Sequence, residues 1–386
     1  MSEGQERPLI VHVLHHLVTG GMENGLVNLV NHLPRSRWRH RVICIEDFSS
    51  FRNRIVRDDV EVLALHRSSV GARRMRQAML DDFHRHSPSI VHTRNLSGLD
   101  ALLPAWRAGV KVRVQSEHGW DVDDLQGRAL RPIWLRRLHS PLVRRYLAVS
   151  KDIERYLTER VGIAARRVSQ IYNGVDTERF RPRSGARSPL LPPDLRGEDR
   201  IVIGTVGRLQ AVKDQATLLH AVAQLLSTQP QLRASLRVAI VGGGPLKSEL
   251  EQLSHDLGLD NLTWFSGPID NVHEVLPSLD CFVLPSLMEG ISNTMLEAMA
   301  CGLPLLATAV GGNVELVRDP AYGLLFEPRD VSGLAEALRA LAMEADRRVA
   351  MGAAAHRMAV AEFSLAAMVD RYGRFYDALL GRAAGA

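Results

Sequence analysis

The sequence predicts an α/β chain of two domains, each built around a parallel sheet, and three observations carry this. The chain has 386 residues, more than one hydrophobic core usually serves. In both halves, short apolar runs end in glycine-containing loops that open helices, the pattern of strand–loop–helix units. Between the halves lies a stretch, 182–200, that places Pro182, Pro189, Pro192 and Pro193 among Ser and Gly, the composition of a linker. Domains are therefore expected at residues 1–180 and 201–363, joined by a linker at 181–200.

The composition, 46% hydrophobic and 24% charged, is that of an ordinary folded protein and excludes disordered or fibrous classes. No apolar run approaches 18 residues, so no transmembrane helix is expected. The apolar run in the opening MSEGQERPLIVHV is short and passes straight into a strand pattern, unlike a secretion signal. Cys44, Cys281 and Cys301 are scattered, with neither metal-ligand spacing nor a disulfide framework, which fits a reducing cytoplasm. Charge is uneven. Residues 1–180 carry 29 Lys and Arg against 20 Asp and Glu; the remainder carries 19 against 23. A basic first half beside a mildly acidic second half implies different partners for the two.

In chain order, 9–17 (LIVHVLHHL) is the first strand. It leads through Thr19, Gly20 and Gly21 into a helix that ends near Leu33, with Pro34 beyond. Paired glycines at a helix start bring backbone N–H groups close to an anion, although a plain tight turn reads the same way. The full dinucleotide fingerprint is absent, because no third glycine has the required spacing. Further strands are expected at 42–45, 60–65, 90–93 and 112–117, with a helix at 71–86. The last of these strands delivers His118 and Gly119 to the edge where ligands sit in parallel sheets. Asp121 and Asp123 form an Asp-x-Asp triplet, but in no context that matches a metal site. Residues 128–146 read as a basic amphipathic helix with Pro132 and Pro141 as its weak points. Such a helix suits an anionic membrane surface, or simply a packed surface helix with solvated arginines. A strand at 147–149, with Ser150 after it as a helix cap, and a strand near 168–172 close the first half.

The second half opens with a strand at 201–206, followed by Gly207, Arg208 and Lys213. Arg and Lys just beyond a strand end can neutralise a diphosphate, the first as a fork and the second as a point charge. Strands at 238–241 and 262–265 follow, each ending in glycine, the second at Gly267. The most informative stretch is 281–315. Residues 281–284 are an apolar strand ended by Pro285, and a polar loop through Glu289, Gly290 and Ile291 follows. Ser292 or Asn293 caps a helix through Thr294 and Glu297, and Gly302 with Pro304 stops it. A strand at 305–307 leads to Gly311 and Gly312, with Glu315 beyond. The helix start is an anion site flanked by two carboxylates, and a carboxylate accepts two hydroxyl hydrogen bonds at once. That arrangement suits a ligand with hydroxyls at both ends and phosphate between them, the shape of a nucleotide sugar. Helices at 334–342, 347–362 and 364–380 complete the chain.

Glu289, seven residues, Glu297, then Ala298 and Cys301-Gly302-Leu303-Pro304 resemble the signature of glycosyltransferase family 4. The resemblance spans essentially the whole chain and is strongest from 204 to 315. It implies the GT-B fold, two Rossmann-like domains facing a cleft, with the helix 364–386 crossing back to the first domain. It implies a retaining transfer of sugar from a nucleotide-diphosphate sugar, with no metal or other cofactor. By resemblance, Arg208 and Lys213 clamp the diphosphate and Gly20–Gly21 lies near the donor phosphate and acceptor. His118 touches the donor sugar, and Gly267 opens the loop near the base. The strings Gly20-Gly21-Met22-Glu23-Asn24-Gly25-Leu26, Val91-His92-Thr93-Arg94-Asn95 and Glu117-His118-Gly119 are similar to the sugar transferases of exosortase-associated exopolysaccharide clusters. Trp120 stands where that subgroup leads us to expect a basic residue.

The resulting expectation is a metal-independent glycosyltransferase of the cytoplasm, peripheral on the inner membrane face, with a saccharide or lipid-linked acceptor and no nucleic-acid partner. Glu289, His118, Arg208 and Lys213 are its catalytic candidates. Gly20, Gly21, Gly267, Gly290, Ile291, Ser292, Asn293, Thr294 and Glu297 are its donor-binding candidates. Two alternatives stay open at this stage: a nucleotide-sugar epimerase of the same fold, which needs no acceptor, and a non-catalytic relative that organises polysaccharide assembly.

Overall fold

The computed structural model describes residues 7–120, 124 and 127–382. It divides into two compact units, Met1–Asn173 with Ala366–Ala386 and Gly174–Leu365.

The first unit holds a seven-stranded sheet. Its strands are β1 (Leu9–Leu14), β2 (Arg39–Cys44), β3 (Glu61–Ala64), β4 (Ile90–Arg94), β5 (Val112–Glu117), β6 (Arg145–Ala148) and β7 (Val168–Gln170). The order is β3-β2-β1-β4-β5-β6-β7 and every pairing is parallel. The helices that matter here are α1 (Gly21–His32), α2 (Ala72–His86), α3 (Leu102–Arg107) and α4 (Leu130–His139). Strands covered on both faces read as continuous apolar runs, and β1 (LIVHVL) is buried at every position. One face packs Val11, Val13, Ile43 and Val91 against Met75, Met79 and Phe83 of α2. The opposite face carries three buried histidines, His12, His40 and His92.

The second unit holds β8 (Ile201–Val206), β9 (Leu236–Val241), β10 (Thr263–Gly267), β11 (Cys281–Leu284), β12 (Leu305–Thr308) and β13 (Gly323–Phe326). Their order is β10-β9-β8-β11-β12-β13, again all parallel. Its helices include α5 (Gln215–Thr228), α6 (Asn293–Ala300), α7 (Val331–Met343) and α8 (Ala345–Glu362). One core joins Leu218, Val222 and Leu225 of α5 to Val238, Ile240 and Val283 of the sheet and to Leu334 and Leu338 of α7.

The last helix, α9 (Leu365–Leu380), belongs to the first unit. Tyr376 meets His92 Nδ1 through its hydroxyl at 2.7 Å and packs its ring on the buried Trp38. Arg37 donates to Asp377 at 2.7 Å.

Several elements differ from the sequence expectation for identifiable reasons. The first strand stops at Leu14, and beyond it only Leu17 makes a bridge, to Phe48. The stretch 128–146 is not one helix. α4 starts at Leu130, so Pro132 falls in its first turn, where no N–H partner is needed, and no kink arises. It ends at His139, Pro141 follows in a short 3-10 turn, and Arg145 and Tyr146 belong to β6. The proline-rich segment 181–200 is no free tether. It is grouped with the second unit and anchored there by the buried Leu191 and Leu195. Arg187 adds donors to the Arg200 carbonyl and to Asp280, each at 2.8 Å. These anchors are hidden from composition because they sit between prolines. Asp121 and Asp123, and the small-residue tail 383–386, lie outside the described residues.

Candidate functional site

In the second unit, the chain runs outward from β8 through β9 to β10, then returns to start again at β11 on the other side of β8. Connections therefore diverge between β8 and β11, and a parallel sheet opens a crevice at such a point beyond its carboxyl ends. The loop after β8 carries Gly207, Arg208 and Lys213; the loop after β11 carries Glu289, Gly290, Ile291 and Ser292. Lys213 ends a 3-10 turn, Ala211–Lys213, and its Nζ lies 2.5 Å from Glu289 Oε1. The two loops are also joined through backbone, Leu287 N–H donating to the Val212 carbonyl at 2.8 Å. The Arg208 side chain is exposed, while its carbonyl accepts from Gln215 Nε2 at 3.3 Å.

Ser292 caps α6 as its sequence predicts: its hydroxyl accepts from Met295 N–H at 3.3 Å and lies 3.1 Å from Thr294 Oγ1. Gly290, Ile291 and Ser292 are buried, and Asn293 and Thr294 are half-buried at the helix start. Glu297 is half-buried one turn on.

Glycines set how closely these loops approach. Gly311 has φ +46°, and a Cβ there would lie 1.9 Å from the Glu289 carbonyl oxygen. Gly242 has φ +136°, and its Cβ would lie 2.1 Å from the Gly207 carbonyl oxygen. Gly267, at the end of β10, accepts from Gly242 N–H at 3.1 Å and so braces the loop beside Arg208. Behind the Glu289 loop, Thr308 Oγ1 donates to the Ser286 carbonyl at 2.5 Å, and Asn313 Nδ2 donates to the Thr308 carbonyl at 3.2 Å. Glu315 lies on the short helix Asn313–Leu316.

In the first unit the corresponding divergence falls between β1 and β4. Gly20 and Gly21 follow β1 and open α1. The Glu23 carboxylate folds back over Gly20, where a Cβ would lie 2.2 Å from its Oε2. The absent side chain at Gly20 thus makes room for this carboxylate. His118 follows β5. Its Nε2 pairs with Ser116 Oγ at 2.9 Å, and its N–H donates to Asn95 Oδ1 at 2.8 Å. Asn95 sits in the left-handed region at φ +52°, a conformation that Asn tolerates better than most residues. Burial, with Arg94 nearby, lowers the His118 pKa to about 3, so the ring is neutral.

Beneath His118, Glu117 accepts two hydrogen bonds from Arg136, both at 2.9 Å, and both side chains are almost fully buried. Trp120 packs edge-on against Tyr156, with ring centroids 5.0 Å apart, and it also fills the space over Gly127. In this chain Trp120 therefore serves packing within the first unit.

The structure thus brings Arg208, Lys213, Glu289, Gly290, Ile291, Ser292, Asn293, Thr294, Glu297 and Gly267 to one sheet edge of the second unit. Gly20, Gly21 and His118 lie at the sheet edge of the first. Sequence reading named Asn95 only within the string 91–95 and gave it no role, and it missed what Gln215, Arg136 and the Thr308–Asn313 brace do in positioning others. Only Asn95 carried a signal, as an Asn directly after a strand.

Two parallel-sheet units with these loops define the GT-B class. The family description "Glycosyltransferase Family 4" matches residues 19–179, and "Glycosyl transferases group 1" matches residues 200–344. EpsF of Bacillus subtilis, named as a glycosyltransferase, is 30% identical over 320 residues, 79% of this chain and 80% of that protein. The chain belongs to glycosyltransferase family 4. It is also 37% identical over 243 residues to a D-inositol 3-phosphate glycosyltransferase of Geodermatophilus obscurus; that match takes in 61% of this chain but only 52% of the relative. Among solved structures, HepE of Anabaena in complex with UDP has a TM-score of 0.79 at 20% identity, covering 96% of this chain and all of that one. The sucrose-phosphate synthase of Thermosynechococcus elongatus has a TM-score of 0.78, also at 20% identity, covering 97% and 100%.

Proposed function

We propose that the protein transfers a sugar, with retention of anomeric configuration, from a nucleotide-diphosphate sugar to a saccharide or lipid-linked acceptor in exopolysaccharide synthesis. The observation that carries this reading is the convergence of Arg208, Lys213, Glu289 and the Ser292-capped helix at the β8/β11 divergence. Arg208, Lys213 and the N–H groups of residues 292–294 hold the diphosphate as it leaves, with donors aimed at charge that grows in the transition state. Glu297 accepts from the ribose hydroxyls. Glu289 accepts from the donor sugar and favours the positive charge developing at its anomeric carbon. Gly20 and Gly21 lie near the donor phosphate and the acceptor, Gly267 borders the base, and neutral His118 hydrogen-bonds the transferred sugar. These groups supply the positive charge, so transfer needs no metal; equal rates in EDTA and in Mg2+ check this.

Uridine is the base we favour, because the Anabaena neighbour was crystallised with UDP and with UDP-glucose. Thermal shift with UDP, GDP, ADP and TDP and with their sugars tests the donor site, since stabilisation rises with ligand concentration over its dissociation constant. The expected result is one nucleotide that raises the melting temperature and whose effect Arg208→Ala removes. No shift with any of the four or with any of their sugars overturns the donor reading. Release of nucleotide only when acceptor is present would exclude the epimerase alternative.

We further propose that the protein works at the cytoplasmic face of an anionic membrane. No helix among the described residues is long and apolar enough to cross one. What supports surface attachment is α4. It exposes Leu130, Trp134 and Leu138, one residue per turn, and Leu103 and Trp106 of α3 are exposed as well. α3 packs beside the turn that follows α4. Arg128, Arg131, Arg137 and Arg144 are exposed around this stripe, and the sequence has no acid from 125 to 151. Apolar side chains ringed by arginines suit an anionic lipid interface. Co-sedimentation with vesicles should need anionic lipid and should weaken in Trp134→Ser with Leu138→Ser; binding indifferent to lipid charge overturns the proposal.

A further inference from the structure

The ion pair between Lys213 and Glu289 bears on which ligand the site keeps. At 2.5 Å, the carboxylate occupies the cation on which the diphosphate depends. The Lys213 side chain is 25% exposed and that of Glu289 10%, so water screens the pair only partly. The backbone that carries Glu289 is also held in place. The Glu289 carbonyl abuts Gly311, whose Cβ position lies 1.9 Å away, and it accepts from Gly312 N–H at 3.4 Å. The lysine loop is tied to the same segment through Val212 and Leu287.

A bare nucleoside diphosphate must take Lys213 from Glu289 and then leave its terminal phosphate facing a carboxylate. Like charges at a half-buried site repel, and a carboxylate has no proton to donate to phosphate. A nucleotide sugar meets the same carboxylate with hydroxyls, which donate to it. Resting on the donor reading above, we infer that Glu289 is a selectivity and product-release element: through Lys213 it holds bare nucleoside diphosphate binding weak while accepting the sugar of the intact donor. The site then releases its nucleotide product once the sugar has gone.

Calorimetric titration of UDP and UDP-glucose into the wild type, Glu289→Gln, Glu289→Asp, Lys213→Met and the Glu289→Gln/Lys213→Met double variant tests this. Glu289→Gln keeps the side-chain shape. It should bind UDP about tenfold tighter than the wild type, roughly 1.4 kcal/mol by the affinity relation. It should not gain for UDP-glucose, so the preference for donor over product collapses. Glu289→Asp, which keeps the charge, should stay near the wild type, and the gain for UDP should vanish in the Lys213→Met background. The inference is overturned if Glu289→Gln binds UDP no tighter than the wild type, if Glu289→Asp gains as much, or if the gain persists without Lys213. A wild type that binds neither ligand overturns the donor reading and this inference together. Equal UDP affinities in wild type and Glu289→Gln overturn this inference alone.

Discussion

The Glu117–Arg136 pair has a cost structure that mutation can read. Both charges are buried, and each is compensated by the other. Removing one leaves the other buried and unpaired, which typically costs about 3–5 kcal/mol, whereas replacing both with apolar groups of similar size is often close to neutral. Arg136→Met should therefore destabilise the first unit strongly in urea, and Glu117→Leu/Arg136→Met should recover most of that loss. If the double variant is as unstable as the single one, the pair is not the cause. His118 follows Glu117 directly, and its neutral ring makes it a hydrogen-bonding group at physiological pH. The pH–rate profile should accordingly show no inflection from His118 between pH 5 and 8, and His118→Gln should retain measurable transfer. In the second unit, Gly311→Ala would drive a Cβ into the Glu289 carbonyl. Overpacking of this kind costs about 1–3 kcal/mol. A lowered melting temperature together with loss of the nucleotide-induced shift would show that the Glu289 loop had moved.

At the scale of elements, α4 shows where sequence reading reaches its limit. Leu130, Trp134 and Leu138 recur every fourth residue, and such a stripe ordinarily marks the face turned inward. Here the stripe is exposed, and the buried face carries Ile133 and Arg136. The inversion follows from Glu117, buried at the end of β5, which requires a cation. No period in the sequence announces that demand, because it comes from another strand. Most strands were legible from short apolar runs, although β13 (Gly323–Phe326) was not expected, and the Ser292 cap was legible because its chemistry is local. The Lys213–Glu289 contact was not legible, since it joins loops 76 residues apart. The return of α9 to the first unit was expected only by family resemblance, and the structure gives it content through Tyr376 on His92 and Asp377 on Arg37. A chain ending at residue 364 should therefore lose hydrogen-exchange protection across β1, β2 and β4 while strands of the second unit stay protected. Equal loss in both sheets would show that α9 supports more than its own unit.

The two units differ most in how they meet acid. In the first, burial lowers the pKa of His12 and His92 well below the usual histidine value and that of His40 to about 3. Arg94 adds to this in each case. It is itself buried, and it donates to His12 Nδ1 at 3.3 Å. The three rings are therefore neutral in the folded chain and would titrate near 6.5 once unfolded. Between the folded value and 6.5 the unfolded state binds more protons, so stability rises with pH in that window. The contribution is whole above about pH 6.5 and is lost as pH falls below it. At pH 5.5 each such histidine removes about 1.4 kcal/mol, and three together about 4, a large share of a typical domain's stability. Among the described residues of the second unit, His273 is the histidine whose pKa is lowered, and it is no core residue; the sheet of that unit has no comparable cluster. Urea unfolding followed by hydrogen exchange should hence show both units with similar midpoints at pH 7.5. At pH 5.5 the first unit should unfold well ahead of the second, and the gap should narrow when His12, His40 and His92 are replaced by residues that do not titrate, with His118 and His15, whose pKa values are lowered too, accounting for the remainder. The depressed carboxylates do not produce this gap, since their protonation begins below the pH at which the histidines have already acted. A single coincident transition at pH 5.5 would mean that these rings can be protonated in place, and that the Arg94 cluster opens to water without unfolding the sheet above it.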